Sequence, residues 1–247
     1  MDDKEELEYE QHYAEVSSSY DCMYSDYSAA NMTIIDRQLR FTSDDSILDI
    51  GGGTAEISHR LWKMHNLKTP VLCVDPSEAM LAIARNKEGV ETVKSTAEEF
   101  FMNDSDGRLF SKILILGCYH HLSDPGIVFA GVARVLSDNG VCFVLRVTSD
   151  SAPIWFTNTL FKEVDFRQIA KLAESKGLRA KILYDCEASR LKKEACFQFL
   201  RNRMISGMSE FTDAEIEMGI KELDQRYGGS QIIDVEYKVN LAVITKR

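Results

Sequence analysis

The run Asp49-Ile50-Gly51-Gly52-Gly53-Thr54-Ala55 lies between a short apolar segment and an amphipathic one. A ligand can approach such a turn closely, because glycine has no Cβ to stand in its way. Dinucleotide enzymes place G-x-G-x-x-G here and set helix amides against a pyrophosphate. In this chain Gly51-x-Gly53 is followed at the third glycine position by Glu56, which has the wrong sign for that anion. Asp49, just before the loop, suits instead a ligand bearing an ammonium and a sulfonium. Asp75 ends the next apolar segment, where a carboxylate accepts two hydrogen bonds from a ribose diol. Ser95-Thr96-Ala97-Glu98 forms a short polar loop suited to an adenine edge. Gly117-Cys118-Tyr119-His120-His121 supplies two imidazoles with near-neutral reference pKa values as candidate bases.

The segments around these residues are those of βαβ units. Strands are expected at Ser46–Ile50, Val71–Val74, Glu91–Lys94, Ile113–Leu116 and Val141–Val147. The intervening helices carry apolar stripes such as Ile57, Leu61 and Met64. Asp124 and Pro125 open one helix as N-cap and first residue, and Asn139-Gly140 stops it. Later come a helix from Phe166 to Gly177, a strand at Ala180–Tyr184, helical segments at about 190–206 and from the Thr212/Glu215 capping box, and a closing strand at Val239–Thr245. The first 40 or so residues read as helices interrupted at Ser17-Ser18-Ser19. The organisation expected is therefore a helical cap (1–40), a core (41–188 and 230–247) and a helical insertion, or lid, at 189–229.

With 45% hydrophobic and 28% charged residues the chain can bury a full core. A formal net charge of −10 disfavours a nucleic-acid partner. No apolar run approaches the ~20 residues needed to span a bilayer. The acidic start Met1-Asp2-Asp3-Lys4-Glu5-Glu6 is unlike a secretory or transit peptide, so the cytoplasm is the expected location. Six scattered cysteines without a CxxC pair argue against zinc or a disulfide framework, and no metal is expected.

Taken in order, these motifs resemble the class I S-adenosylmethionine-dependent methyltransferases, in particular the small-molecule group with the ubiquinone/menaquinone C-methyltransferases and trans-aconitate methyltransferase. Leu48-Asp49-Ile50-Gly51-Gly52-Gly53-Thr54 matches the family's D/E-x-G-x-G loop, and Val74-Asp75-Pro76-Ser77-Glu78-Ala79-Met80-Leu81 its V-D-x-S-x-x-M-L segment. Ala97-Glu98 matches the adenine loop, where Thr96 replaces a common acid. Tyr20-Asp21 resembles the tyrosine–aspartate pair that closes over the cofactor, and His121-Leu122 with Asp124-Pro125 the tract after the fourth strand.

The resemblance implies a Rossmann-like α/β fold: a seven-stranded, mostly parallel sheet with an antiparallel last strand, an N-terminal helical cap and a helical insertion before that strand. It also implies S-adenosylmethionine held by Tyr20, Asp49, Gly51, Gly52, Gly53, Asp75, Pro76, Met80, Thr96, Ala97, Glu98, Gly117 and Cys118. His120 and His121 are the candidate bases. Tyr13, Tyr24, His120, Arg146 and Trp155 are the candidate acceptor contacts. The tyrosines are otherwise helix-packing aromatics, and Arg146 is either a surface charge or a carboxylate anchor. The expected activity is in-line methyl transfer to a small molecule, at N or O rather than C, by a monomer or homodimer. A catalytically silent cofactor-binding module is the main rival, ahead of a nucleotide-dependent oxidoreductase and a protein or RNA methyltransferase.

Overall fold

Continuous apolar runs too short for helices become parallel strands covered on both faces. In a computed structural model, which describes residues 11–17, 20–21, 25–103, 107–148, 164–204, 208 and 211–247, the Ile47–Ile50 run is strand β1 and Val71–Asp75 is β2, every residue of both buried. Val90–Lys94 (β3), Phe110–Leu116 (β4), Leu136–Val147 (β5), Leu178–Lys192 (β6) and Ile232–Lys246 (β7) complete a sheet of order β3-β2-β1-β4-β5-β7-β6. Strands β1 to β5 are parallel, and β7 runs antiparallel to both neighbours. The strand order reverses between β1 and β4, which makes that edge the place for a ligand.

Helices α1 (Ser25–Leu39) and α2 (Glu56–His65) cover one face. Their Ile34, Ile35 and Leu61 close over Ile47, Leu114, Phe143 and Leu145. Helices α4 (Ala97–Asn103), α5 (Pro125–Val135) and α6 (Phe166–Ser175) cover the other, where Phe101, Phe129, Val132 and Ile169 meet Leu48, Ile50, Ile113 and Val144. α3 (Glu78–Ala84) follows β2. As the sequence indicates, Asp124 caps α5, its Oδ1 accepting from the amides of Gly126 (2.8 Å) and Ile127 (3.2 Å).

The late hairpin differs from expectation. The strand expected at Ala180–Tyr184 runs from Leu178 to Lys192, and the closing strand begins at Ile232, well before Val239. Pairing extends from Leu178↔Lys246 to Lys192↔Ile232, whereas β5 pairs with β7 only as far as Val147↔Val239. The remainder is a two-stranded ribbon projecting past the sheet. Polar and exposed residues alternate with partly buried ones there, and only scattered apolar residues such as Leu191, Ile233 and Tyr237 are buried, so the ribbon lacks the continuous apolar run that marks a core strand. α1 braces the ribbon: Arg37 pairs with Asp185 (2.8 Å) and Glu187 (3.0 Å), and the buried Tyr237 hydroxyl donates to Asn31 Oδ1 (3.0 Å). At the ribbon tip stand α7 (Lys193–Arg201) and α8 (Asp213–Tyr227), so the helical insertion starts after Lys192 rather than at Ser189. The Thr212/Glu215 capping box is present as expected.

A third apolar cluster joins distant parts of the chain. Val16 from the N-terminal segment and Met80 from α3 pack with Phe197, Leu200, Met208, Ile216, Ile220 and Leu223 of the insertion. The N-terminal segment and the helices between β6 and β7 thus share one core over the start of α3.

Candidate active site

The glycine loop is held by its own backbone. The amides of Gly51 and Gly52 donate to the Val74 carbonyl (2.8 and 3.4 Å), Gly53 N–H to Asp75 Oδ2 (2.9 Å), and Ala55 N–H to the Gly52 carbonyl (2.9 Å). The amides a pyrophosphate would draw on are therefore engaged, and Glu56 stands at the start of α2. Gly51 has φ +68° and Gly53 φ +57°, a conformation costly for any residue with a Cβ. The surroundings of the two glycines differ. A Cβ on Gly51 would lie 2.6 Å from Cys118, whereas one on Gly53 would meet nothing within 4 Å. Gly53 faces open space, and Gly51 is clamped against Cys118, whose thiol donates to the Ile50 carbonyl (3.0 Å).

Two carboxylates lie beneath this loop. Asp49 is buried and accepts from the Ser58 hydroxyl (2.5 Å). Burial, opposed by that hydrogen bond and reinforced by the charge of Asp75, raises its pKa to about 7. Asp75, also buried, accepts from Gly53 N–H and, on Oδ1, from Ser77 N–H (2.9 Å). Desolvation outweighs these two hydrogen bonds and raises its pKa from the ordinary value. Burial and both charges push the Cys118 thiol upward as well, so it stays protonated.

The N-terminal segment is tied to the loop through Asp21, with the help of Lys87 and Arg60, which sequence reading missed. Thr54 Oγ1 donates to Asp21 Oδ1 (2.5 Å), and Lys87 Nζ bridges Asp21 Oδ2 (2.6 Å) and Glu56 Oε2 (2.9 Å). Arg60 completes the chain on Glu56 Oε1 (2.6 Å). Burial alone would raise the Glu56 pKa, but Lys87 and Arg60 more than reverse it. Lys87 belongs to no periodic pattern, and only the folded chain brings it to Asp21. Tyr20 sits beside this latch, its ring 6.3 Å from that of Tyr13.

The residues expected to form the adenine loop have hydrogen-bond and packing partners within the fold. Thr96 and Glu99 cap α4 reciprocally: Thr96 Oγ1 accepts Glu99 N–H (3.2 Å), and Glu99 Oε2 accepts Thr96 N–H (3.4 Å). Glu98 is buried and accepts Asp124 N–H (2.9 Å), so its carboxylate ties α4 to the start of α5 rather than standing open to a base edge. Ala97 is core. The spacing T-x-x-E would have disclosed the cap, as it did at Thr212. Pro76 is half-buried at the turn after Asp75, and Met80 is buried against the insertion.

On the other side of the strand reversal, Gly117 lies exposed at the end of β4 and donates to the Leu145 carbonyl (2.9 Å). Cys118, Tyr119, His120 and His121 follow, the last three in a single 3-10 turn. The rings of His120 and His121 lie 3.8 Å apart, and His121 meets Tyr13 edge-on at 6.4 Å. Arg146, at the end of β5, donates from Nη1 to His120 Nδ1. It is half-buried rather than a surface charge, and burial lowers its pKa against the opposing influence of Cys118 and Tyr13. An arginine only donates, so His120 Nδ1 holds a lone pair and its proton sits on Nε2. Tyr24 and Trp155 lie outside the described residues.

Residues 47–140 match a family model described as a methyltransferase domain. The ubiquinone/menaquinone biosynthesis C-methyltransferase of Vibrio cholerae is 30% identical over 121 residues, which is 43% of this chain and 45% of that protein. The chain thus spans about half the length of the curated relatives it matches. A methyltransferase structure from an antibiotic biosynthesis pathway of Anabaena variabilis superposes with TM-score 0.63 at 20% identity, covering 85% of this chain and 95% of the other. The phosphoethanolamine N-methyltransferase 2 of Haemonchus contortus, solved with S-adenosyl-L-methionine, gives 0.58 at 16% identity, covering 93% and 56%. These similarities establish the Rossmann-like methyltransferase fold.

Proposed function

We propose, of a chain that belongs to the class I S-adenosylmethionine-dependent methyltransferases, that it transfers a methyl group to a small-molecule acceptor at nitrogen or oxygen. The observation that carries this reading is the loop at the sheet edge. Gly53 faces open space, with Asp49 buried below and Asp75 at the end of β2. Such a cradle fits a cationic nucleoside ligand and, with its amides engaged, does not fit a pyrophosphate. Asp49, Gly51–Gly53 and Asp75 would hold S-adenosylmethionine, with Tyr20 above. Pro76 and Met80 would shape the side toward β2, and Gly117 and Cys118 the side toward β4. Thr96, Ala97 and Glu98 would contribute the shape of their loop. When bound, the cofactor supplies a methyl group already activated by sulfonium.

The chain's own residues then have three tasks: to align the acceptor, exclude water and accept a proton where the nucleophile carries one. The N-terminal segment and the helices between β6 and β7, joined through Val16, Met80 and Leu223, would enclose the cleft. With Arg146 donating to its Nδ1, His120 would keep its proton on Nε2, and the role of proton acceptor would fall to His121. A nitrogen or oxygen nucleophile brings its own lone pair and needs at most one proton removed, which one imidazole can accept.

Calorimetric titration with S-adenosylmethionine and S-adenosylhomocysteine, with NAD as control, tests the site. Both should bind and NAD should not. Asp75→Ala should weaken binding by about 1–3 kcal/mol, the loss of charge-assisted hydrogen bonds. Normal affinity in that variant would remove Asp75 from the site.

A further inference from the structure

Helices α1 and α2 leave a groove between their outer stripes. On each helix the lining residues recur at three- and four-residue steps, from Ala29 to Arg37 on α1 and from Glu56 to Met64 on α2. The groove holds about 870 Å³, within the range of small-molecule clefts. Neither the loop glycines nor Asp75 line it, so it is separate from the cofactor cleft.

Most of its polar groups are already committed. Glu56 takes Arg60 on one oxygen and Lys87 on the other, and Asp36 stands 3.0 Å from His65 Nε2. Arg37 gives Nε and both terminal nitrogens to Asp185 and Glu187. His59 lends Nδ1 to the Glu88 carbonyl (2.8 Å). Two groups stand apart from this pattern. Lys63 has no partner among the described residues, and Arg60 commits only Nε. They lie one helical turn apart on the same face of α2, an ammonium beside the open fork of a guanidinium. Donors without an acceptor call for an anion. A net charge of −10 opposes a polyanion far more than a single headgroup. The apolar part of the groove comes from methionine: Met32 is buried and Met64 is 55% exposed. Such side chains adapt to a flexible aliphatic ligand.

We infer that this groove is a second binding site, for a small amphipathic anion. One carboxylate or phosphate headgroup is held by Lys63 and Arg60, and a short apolar chain lies along Met32 and Met64. The inference goes beyond the methyl-transfer reading and does not depend on it. The site adjoins the latch of the N-terminal segment, because Arg60 and Lys87 share Glu56.

The test uses the full chain saturated with S-adenosylhomocysteine and four probes followed by ligand-observed NMR: octanoate, octyl phosphate, octylamine and acetate, each below any micelle concentration. Octanoate or octyl phosphate should bind at least about tenfold more tightly than octylamine and than acetate, and the tighter of the two names the headgroup. Lys63 and Met64 are exposed, so their variants leave the core intact. Lys63→Gln should weaken the anion by about tenfold, and Lys63→Arg should recover most of the loss. Met64→Gln should shrink the advantage of octanoate over acetate. Lys171→Gln, on an exposed position of α6 across the sheet, should change nothing. Octylamine or acetate binding as tightly as octanoate, an unaltered affinity in Lys63→Gln, or an equal loss in Lys171→Gln would overturn the inference. So would displacement of S-adenosylhomocysteine by octanoate, which would place the anion in the cofactor cleft. Failure of the methyltransferase reading would show separately, as no binding of S-adenosylhomocysteine. The same probe comparisons without that ligand would still decide the groove.

Discussion

Asp49 and the two outer glycines of the loop show how much a residue's surroundings alter its meaning. Asp49 titrates near 7 because it is buried beside Asp75 with only the Ser58 hydroxyl in direct support. Its folded pKa lies above the unfolded value of 3.8, so the native state holds the extra proton between these two values. Its contribution is therefore favourable at low pH and is lost as pH rises through that window. Between about pH 6 and pH 8 the ligand-free protein should lose about 1 kcal/mol of stability from this group, and Asp49→Asn should not. Urea unfolding at both pH values measures the difference. Gly51 and Gly53 share a left-handed backbone but not a neighbourhood. Gly51→Ala must push Cβ into Cys118 and should cost about 3 kcal/mol or more, strain added to overpacking. Gly53→Ala pays only the strain, about 1–2 kcal/mol, yet should weaken S-adenosylhomocysteine binding the more sharply for the stability lost. Thermal melts read beside calorimetry separate the two.

Among elements, the N-terminal segment and the α2 entrance are the informative pair. Asp21 reaches Thr54 in the loop and Lys87 after α3, and Lys87 in turn reaches Glu56. The Lys87 side chain is 13% exposed and that of Asp21 32%, so the latch is partly screened and worth more than a surface ion pair but less than a buried one. Asp21→Asn should speed dissociation of S-adenosylhomocysteine by about tenfold, for a loss of roughly 1–2 kcal/mol, with a smaller effect on the association rate. Stopped-flow displacement reads both rates. An unchanged off-rate would mean that the segment does not gate the site. The βα units themselves were legible in their short apolar runs, helical stripes and the Asp124 and Thr212 caps, but the helix opened by Asp124 ends at Val135 and β5 begins at Leu136, running through the Asn139-Gly140 expected to stop that helix. The length of β6 and β7 was not legible. A ribbon stabilised by strand pairing and by Arg37 and Asn31 on α1 needs no continuous apolar run.

At the scale of the whole molecule, the N-terminal segment and the helices between β6 and β7 are joined. Val16, Met80 and the insertion helices share a cluster, so neither cover is independent of α3 or of the other. Leu223 is fully buried within it. Leu223→Ala should cost about 2–5 kcal/mol locally, from lost burial and the cavity left behind. Hydrogen exchange should show α7 and α8 opening while β1, β4 and β5 stay protected, because the sheet core has its own apolar clusters. Uniform loss of protection would mean a single cooperative unit instead. No helix among the described residues is long and apolar enough to cross a membrane.

What the amino-acid sequence determined by itself is local: the glycine loop, the acid after β2, the alternation of strand and helix, and the caps. Each depends on residues within a few positions of one another, through backbone freedom, periodicity or a short hydrogen bond. Tertiary structure decided the rest, because it depends on residues far apart in the chain. Glu98 was diverted to Asp124, and Lys87 was brought to Asp21 and Glu56. His120 acquired its tautomer from Arg146, 26 positions later. Charge partners and proton positions are properties of neighbourhoods in space, and only the closed fold creates those neighbourhoods.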